Sequence, residues 1–350
     1  MLFQTRSGFS RRSLWNELPA LPASWPQAAL LASLILLSIS PGPTAAQSNA
    51  TRTQSATSTA THHVACRALP NFYWEIGDRN GRLASGTRGL LPPKATTSMS
   101  IYSASKWLFG AYVYQRRSGL LSEAEARLLN LSSGNTGSAS CLAPQSVSSC
   151  RNSMGAFNPL AVGSFHYGPA HHQQLAVDLG LGSQSRTQLA SSMRAVLGTD
   201  IALSYDHTTL ASGAQMTPTA YALFLRKILD GRLRLGEALG ASAVCTYTSA
   251  SSTEAGRTRC PMSSYSPTDG ANYTLYEQWD YSLGHWVETD PLTGDGAFSS
   301  AGYAGFYPWI DASHSYYGVL ARNQAANAAS RDSILCGRQI RKAWMTGIAQ

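Results

Sequence analysis

Ser103-Ala104-Ser105-Lys106-Trp107-Leu108-Phe109-Gly110 joins a serine and a lysine to the start of an apolar stretch. Residues three apart on a helix share a face on adjacent turns. A serine hydroxyl is a poor nucleophile until a base takes its proton, and a lysine can be that base when desolvation or neighbouring cations lower its pKa. At a helix start the serine amide also points outward, able to donate to a developing oxyanion. The spacing alone is weak, because 46 serines and four lysines in 350 residues give roughly half a match by chance. Its surroundings carry the weight. A polar stretch at 96–100 precedes it, and a helical signal follows over 104–115, apolar at Trp107, Leu108, Ala111, Tyr112 and Tyr114. Ser103 and Lys106 are therefore the candidate nucleophile and base; the plainer alternative is a surface lysine at a helix start.

Working outward, strand signals lie on both sides of this helix. Phe72-Tyr73-Trp74-Glu75-Ile76 and Arg82-Leu83-Ala84-Ser85-Gly86 flank Asp78-Arg79-Asn80-Gly81, which predicts a β-hairpin. Residues 281–288, 303–310 and 315–321 are aromatic-rich and read as strands, with Asp311-Ala312-Ser313-His314 as the turn between the last two. Helical patterns occupy 121–131, 170–177 and 218–229, and 325–346 reads as a closing helix. The expected class is α+β: one antiparallel sheet completed by both chain ends and flanked by helices. A mostly helical insertion is expected over about 119–275. There are no internal repeats.

With 43% hydrophobic and 13% charged residues, the chain is neither disordered nor an acidic or basic tail. The formal charge of +8 invites a nucleic-acid reading, but only four of 27 basic residues are lysine and the arginines are scattered, so nucleic acid is not an expected partner. Arg6, Arg11 and Arg12 precede an apolar run over 28–39 that Pro41, Gly42 and Pro43 break. Such a run rises about 18 Å as a helix, short of a hydrocarbon core of roughly 30 Å. Residues 1–46 are read as a signal peptide cut after Ala46, an uncleaved anchor being the competing reading. Cleavage removes three arginines and Glu17, lowering the charge from +8 to +6. The mature protein is then expected in the periplasm or secreted, without a stable membrane span. A Ser/Thr-rich stretch over 47–65 reads as a flexible tether before a domain spanning 66–350.

All six cysteines, Cys66, Cys141, Cys150, Cys245, Cys260 and Cys336, lie beyond that cut, and an even count in an exported chain argues for disulfides. Fifteen connectivities are possible. Loop proximity favours Cys141–Cys150 and Cys245–Cys260, which leaves Cys66 with Cys336 across the two ends of the domain. No C-x-x-C pair exists, and His171-His172 are helix neighbours about 100° apart, so no metal and no cofactor are expected. No serine lies in G-x-S-x-G, which excludes the α/β-hydrolase elbow.

The nucleophile segment, followed by Gly119-Leu120-Leu121, resembles the corresponding helix of the serine β-lactamase and penicillin-binding superfamily. Further segments are similar to that family's motifs, in the same order: Leu128-Leu129-Asn130-Leu131-Ser132-Ser133-Gly134, Gly163-Ser164-Phe165-His166-Tyr167-Gly168-Pro169, Ala211-Ser212-Gly213-Ala214-Gln215-Met216-Thr217-Pro218, Tyr281-Ser282-Leu283-Gly284, and Phe298-Ser299-Ser300-Ala301-Gly302 running into 306–311. The match spans about 68–325. It implies a β-lactamase/transpeptidase-like fold with Ser103 acylated, Lys106 as general base, Tyr167 shuttling a proton to the leaving group, and the amides of Ser103 and Tyr303 as oxyanion hole.

Two positions depart from the family. Pro169 stands where it has an asparagine that orients lysine and substrate. Ser300, followed two residues on by Gly302, stands where it has a cation that grips a substrate carboxylate. Losing such a contact costs about 2–5 kcal/mol. The expected function is thus an exported serine hydrolase acting through an acyl-enzyme on an ester or small amide. The rivals are a penicillin-interacting D,D-peptidase or β-lactamase, and a non-catalytic binding module of the same fold. Nothing in the sequence sets the oligomeric state.

Overall fold

Asp78 makes the first turn of the sheet. Its Oδ1 accepts from the amides of Asn80 (2.8 Å) and Gly81 (3.1 Å), and its own amide donates to the Gly81 carbonyl at 2.9 Å. The computed structural model describes residues 47–142, 144–248, 256–268, 275–324, 326 and 328–350. Helices α1 (Asn49–His62) and α2 (Val64–Arg67) lead into the hairpin β1 (Phe72–Gly77) and β2 (Arg82–Arg88). Then follow β3 (Met99–Ser100), α3 (Ser105–Arg116), α4 (Glu123–Leu129), α5 (Val147–Asn152), β4 (Phe165–His166), α6 (Ala170–Ala176) and α7 (Arg186–Leu197). The chain continues through β5 (Leu203–Tyr205), β6 (Ala214–Met216), α8 (Pro218–Leu229), β7 (Val244–Cys245) and β8 (Ser263–Tyr265). Strands β9 (Asp280–Tyr281), β10 (Trp286–Val287), β11 (Phe298–Ser299), β12 (Tyr307–Ile310) and β13 (Tyr317–Ala321) precede the closing helix α9 (Ala329–Thr346).

Eight strands form the main sheet in the order β2-β1-β13-β12-β11-β10-β9-β7, antiparallel throughout. The amino-terminal hairpin and the last strand meet toward one end of this order, Tyr73 opposite Ala321 and Gly77 opposite Tyr317. The class is α+β, with the sheet built from both chain ends. Period-2 alternation sends successive side chains to opposite faces. Tyr73, Phe298, Ile310, Tyr317, Val319 and Ala321 join the core beneath α3, α7 and α8. Phe72, Trp74, Ile76, Tyr307, Trp309 and Leu320 join the other, with Ala56, Ala60, Ile334, Ile340 and Trp344 from α1 and α9. Several buried charged groups are matched. Glu75 accepts from the hydroxyls of Tyr73 (2.6 Å) and Tyr317 (3.0 Å), while burial raises its pKa. Arg338 and Arg341 tie α9 to Glu277, Glu288 and Asp295.

Several expectations are corrected. The stretch read as a tether is helix α1, and the compact unit begins at Gln47 rather than Cys66. Its small residues lie flat on α9: Ala56 and Ala60 are buried, Ser55 Oγ donates to the Gly347 carbonyl (2.7 Å), and Arg52 to that of Trp344 (3.1 Å). A low-propensity sequence is helical here because tertiary contacts hold it. The strand expected over 281–288 is the pair β9–β10, turned at Gly284 (φ +84°), with Ser282 N donating to His285 O at 2.8 Å. Strand β12 starts only at Tyr307, because Gly302 N bonds Phe306 O (2.7 Å) and closes a turn. Strand β7, inside the range read as insertion, pairs with β9 at the sheet edge. The disulfides are Cys66–Cys336, Cys141–Cys150 and Cys245–Cys260. No helix among the described residues is long and apolar enough to cross a membrane.

Candidate active site

Ser103 lies in the 3₁₀ turn Tyr102–Ala104 that runs into α3, half-buried beside the end of β11. Tyr102 enters this turn at φ +47°, a left-handed conformation that costs a side-chain-bearing residue roughly 1–2 kcal/mol. Residues 105–113 of α3 are buried without interruption, so the helix carries Lys106 inside at 4% exposure. The three-residue spacing returns its Nζ to the serine, 3.0 Å from Ser103 Oγ. The Ala211 carbonyl accepts from the same nitrogen at 3.2 Å. Among the described residues no carboxylate pairs with this ammonium, and desolvation pulls its pKa from the usual lysine value to about 7.

Tyr167 closes the third side. Its ring centroid lies 4.5 Å from Lys106 Nζ, and its hydroxyl hydrogen-bonds the Ser103 side chain. Trp286 stacks on the ring at 5.3 Å and Tyr281 meets it edge-on at 5.9 Å, fixing its plane. Burial drives the phenol pKa well above its ordinary value, so the hydroxyl stays protonated at neutral pH.

The segment that follows β11 supplies the rest. Ser300 Oγ donates to the Ser103 carbonyl at 3.1 Å, anchoring the turn that presents the serine. Gly302 permits a backbone approach, since a Cβ there would lie 2.2 Å from the Ile101 carbonyl oxygen. Tyr303 stands at the mouth, its ring edge-on to Tyr102 at 5.9 Å. The structure thus gathers Ser103, Lys106, Tyr167, Ser300, Gly302 and Tyr303. Pro169 takes a different place: it caps α6, where its carbonyl accepts from Gln173 N (3.1 Å), and it offers the pair no polar side-chain atom. Among the described residues, the side chains of His166, His171 and His172 bond to groups other than Ser103, Lys106 and Tyr167. His171 bridges Ser133 (2.7 Å) and the His166 carbonyl (3.0 Å), and burial pushes it down to about 3, an uncharged state. No cluster of metal-ligating side chains occurs among the described residues.

Backbone contacts were beyond sequence reasoning. The Ala211 carbonyl that holds Lys106 belongs to a stretch singled out above, but a carbonyl leaves no mark on residue identity. Gly284 does carry a signal in retrospect. A Cβ on it would sit 2.3 Å from the Lys106 carbonyl, and one on Gly110 would sit 2.1 Å from that of Leu283. Paired glycines let the β9–β10 turn lie directly on the nucleophile helix.

The fold that carries this cluster recurs in solved structures. The chain has the β-lactamase/transpeptidase-like fold. It is similar to a penicillin-binding protein homologue from Caulobacter crescentus (TM-score 0.58, 11% identity, covering 84% of this chain and 97% of that one). It is also similar to the D-amino acid amidase of Ochrobactrum anthropi SV3 (TM-score 0.55, 12% identity, 84% and 98%). A third similar structure is EstCE1, described as a hydrolase with promiscuous acyltransferase activity (TM-score 0.53, 12% identity, 85% and 98%). No protein-family model and no curated protein matches the sequence.

Proposed function

We propose that the protein is an exported serine hydrolase working through an acyl-enzyme on an ester or small amide. One observation carries this reading: Lys106 Nζ lies 3.0 Å from Ser103 Oγ with its pKa drawn to about 7, so a substantial fraction is unprotonated and basic at neutral pH. Ser103 Oγ attacks the substrate carbonyl carbon while its proton passes to Lys106 Nζ. The oxyanion so formed takes hydrogen bonds from the amides of Ser103 and Tyr303. As the carbon–heteroatom bond breaks, the protonated Tyr167 hydroxyl donates to the leaving group and is replenished from Lys106. Water then repeats the sequence on the acyl-serine and releases the acid.

Assigning the base to Lys106 rather than Tyr167 follows from opposite effects of the same burial. Desolvation disfavours whichever form is charged, so it makes the amine basic near pH 7 and keeps the phenol protonated. Ser300 places a hydroxyl where a substrate carboxylate would need a cation, and its proton already serves the Ser103 carbonyl. This favours an uncharged substrate over a penicillin or a peptide carboxylate. An amidase and a hydrolase with acyltransferase activity among the similar structures support the same chemistry. Export through residues 1–46 is supported by three disulfides, which persist in oxidising compartments, and by a compact unit that begins at Gln47.

The test is intact-mass profiling with a fluorophosphonate and a panel of p-nitrophenyl esters, amides and β-lactams. We expect a single adduct on Ser103, turnover of p-nitrophenyl butyrate, and neither in Ser103→Ala. An unlabelled Ser103 would leave the non-catalytic module as the better reading, and a β-lactam adduct would favour the peptidase.

A further inference from the structure

Arg322 follows β13 with its side chain only 3% exposed. It is pressed under Gly305, where a Cβ would lie 2.7 Å from both Arg322 Cγ and Ser333 Oγ. Nη2 donates to Gln324 Oε1, while Nε and Nη1 are buried without a hydrogen-bond partner among the described residues. Other buried guanidinium groups are matched: Arg257 by Asp290, Arg338 by Glu277 and Glu288, and Arg341 by Glu288 and Asp295. Arg151 forms no ion pair among the described residues, though Asp178 acts on it, and it donates to Gln174, Asn135 and the Gly155 carbonyl. The carboxylate that acts on Arg322, Asp332, is itself ion-paired with Arg331. A buried cation with idle donors costs free energy that a bound anion would recover.

Arg322 also lines a cavity of about 760 Å³ at the end of the sheet, where the segment leading into β3 passes the chain leaving β13. Lys94 stands exposed at its rim, Asn323 adds an amide, and Leu91, Pro93 and Met99 form an apolar wall. Among the described residues, no acidic side chain lines it.

We propose that this cavity is a binding site for an organic carboxylate. The anionic group lies between Arg322 and Lys94, and the apolar body rests on Leu91, Pro93 and Met99. Gln324 swings aside on binding, so that Nη1 and Nη2 present an end-on fork. A neutral amide acceptor is thereby exchanged for a charged one, whose hydrogen bonds are roughly twice as strong. None of the residues that gather around Ser103 lines this cavity, so the site stands whether or not Ser103 is a nucleophile.

Calorimetric titration with hexanoate, hexanamide and inorganic phosphate tests this. We expect hexanoate to saturate one site and raise the melting temperature, in wild type and Ser103→Ala alike. Hexanamide should not bind, and phosphate should bind more weakly than hexanoate. Arg322→Gln should abolish the hexanoate response. Lys94→Ala, at an exposed position that folding does not need, should weaken it by about tenfold, the effect of losing one charged contact. Equal binding of hexanamide, phosphate binding as tight as hexanoate, or undiminished affinity in Lys94→Ala would each overturn the proposal.

Discussion

Lys106 concentrates the energetics of the candidate site in one side chain, because the burial that makes it a base also makes it a liability to the fold. The rate consequence follows from its pKa of about 7. Protonated Lys106 cannot accept the Ser103 proton, so kcat/KM for p-nitrophenyl butyrate should fall as pH drops below 7. A pH–rate profile without an acid limb near 7 would contradict this assignment of the base. Lys106→Met should abolish turnover together with that limb, and Ser103→Ala should do no further harm on top of it, because the two act as one unit. The stability consequence has the opposite sign. An unfolded lysine keeps its proton to about pH 10.4, whereas this one gives it up near 7. The cost of burying the charge is therefore fully present below pH 7 and fades as pH rises toward 10. Lys106→Met should thus raise the melting temperature most at pH 6 and least at pH 10. Ser300 acts at the same scale but more weakly. Its hydrogen bond to the Ser103 carbonyl is a neutral one, and such a bond contributes about 1 kcal/mol.

Among elements, the decisive contact is between the turn after β11 and the turn before α3. It is a backbone contact, so glycine governs it. In Gly302→Ala the new Cβ would fall 2.2 Å from the Ile101 carbonyl oxygen, forcing the two turns apart. The Tyr303 amide should then move out of register with Ser103, and a displacement of about 1 Å can cost on the order of 100-fold in rate. We expect kcat/KM to drop by about that factor in Gly302→Ala while circular dichroism stays native; an unchanged rate would remove the Tyr303 amide from the mechanism. The same distinction between side chain and backbone explains what could be read beforehand. Trp107, Leu108 and Phe109 announce α3 through composition, and Asp78 with Gly81 announces the first hairpin, because those elements are written in side chains. Ser103 and Lys106 were legible for the same reason, being side chains three residues apart, whereas Tyr167 was reached only through the resemblance of 163–169 to a family motif. Helix α1 was not legible, since its many Ser and Thr residues carry little helix propensity and its stability is supplied by α9, nearly 300 residues away. Nor was the split of 281–288, where the aromatic run looks continuous and only Gly284, at φ +84°, marks the turn.

For the molecule as a whole, the question is what holds the two chain ends against the sheet, since α1 and α2 precede the first strand and α9 follows the last. Cys66 of α2 is joined to Cys336 of α9 across a sequence separation of 270. In the chain-entropy view a link closing so long a loop removes many unfolded conformations, and about 5 kcal/mol is its upper range. The α1–α9 interface acts in parallel, through Ala56, Ala60, Ser55 and Arg52. The arginine–carboxylate network binds α9 to the sheet from its other side. Neither needs the disulfide in order to form. Cys66→Ala/Cys336→Ala should therefore fold and keep its kcat for p-nitrophenyl butyrate at 25 °C, because Ser103, Lys106 and Tyr167 lie on elements the bond does not touch. Its unfolding free energy, read from urea titration, should fall by about 2–5 kcal/mol. Deleting residues 47–62 in that background should expose the apolar face of α9 and lower the urea midpoint further, by more than the same deletion does with the bond intact, because each link then has to hold the end alone. Equal losses from the deletion with and without the disulfide would show that the two act independently rather than on the same fraying motion of α9.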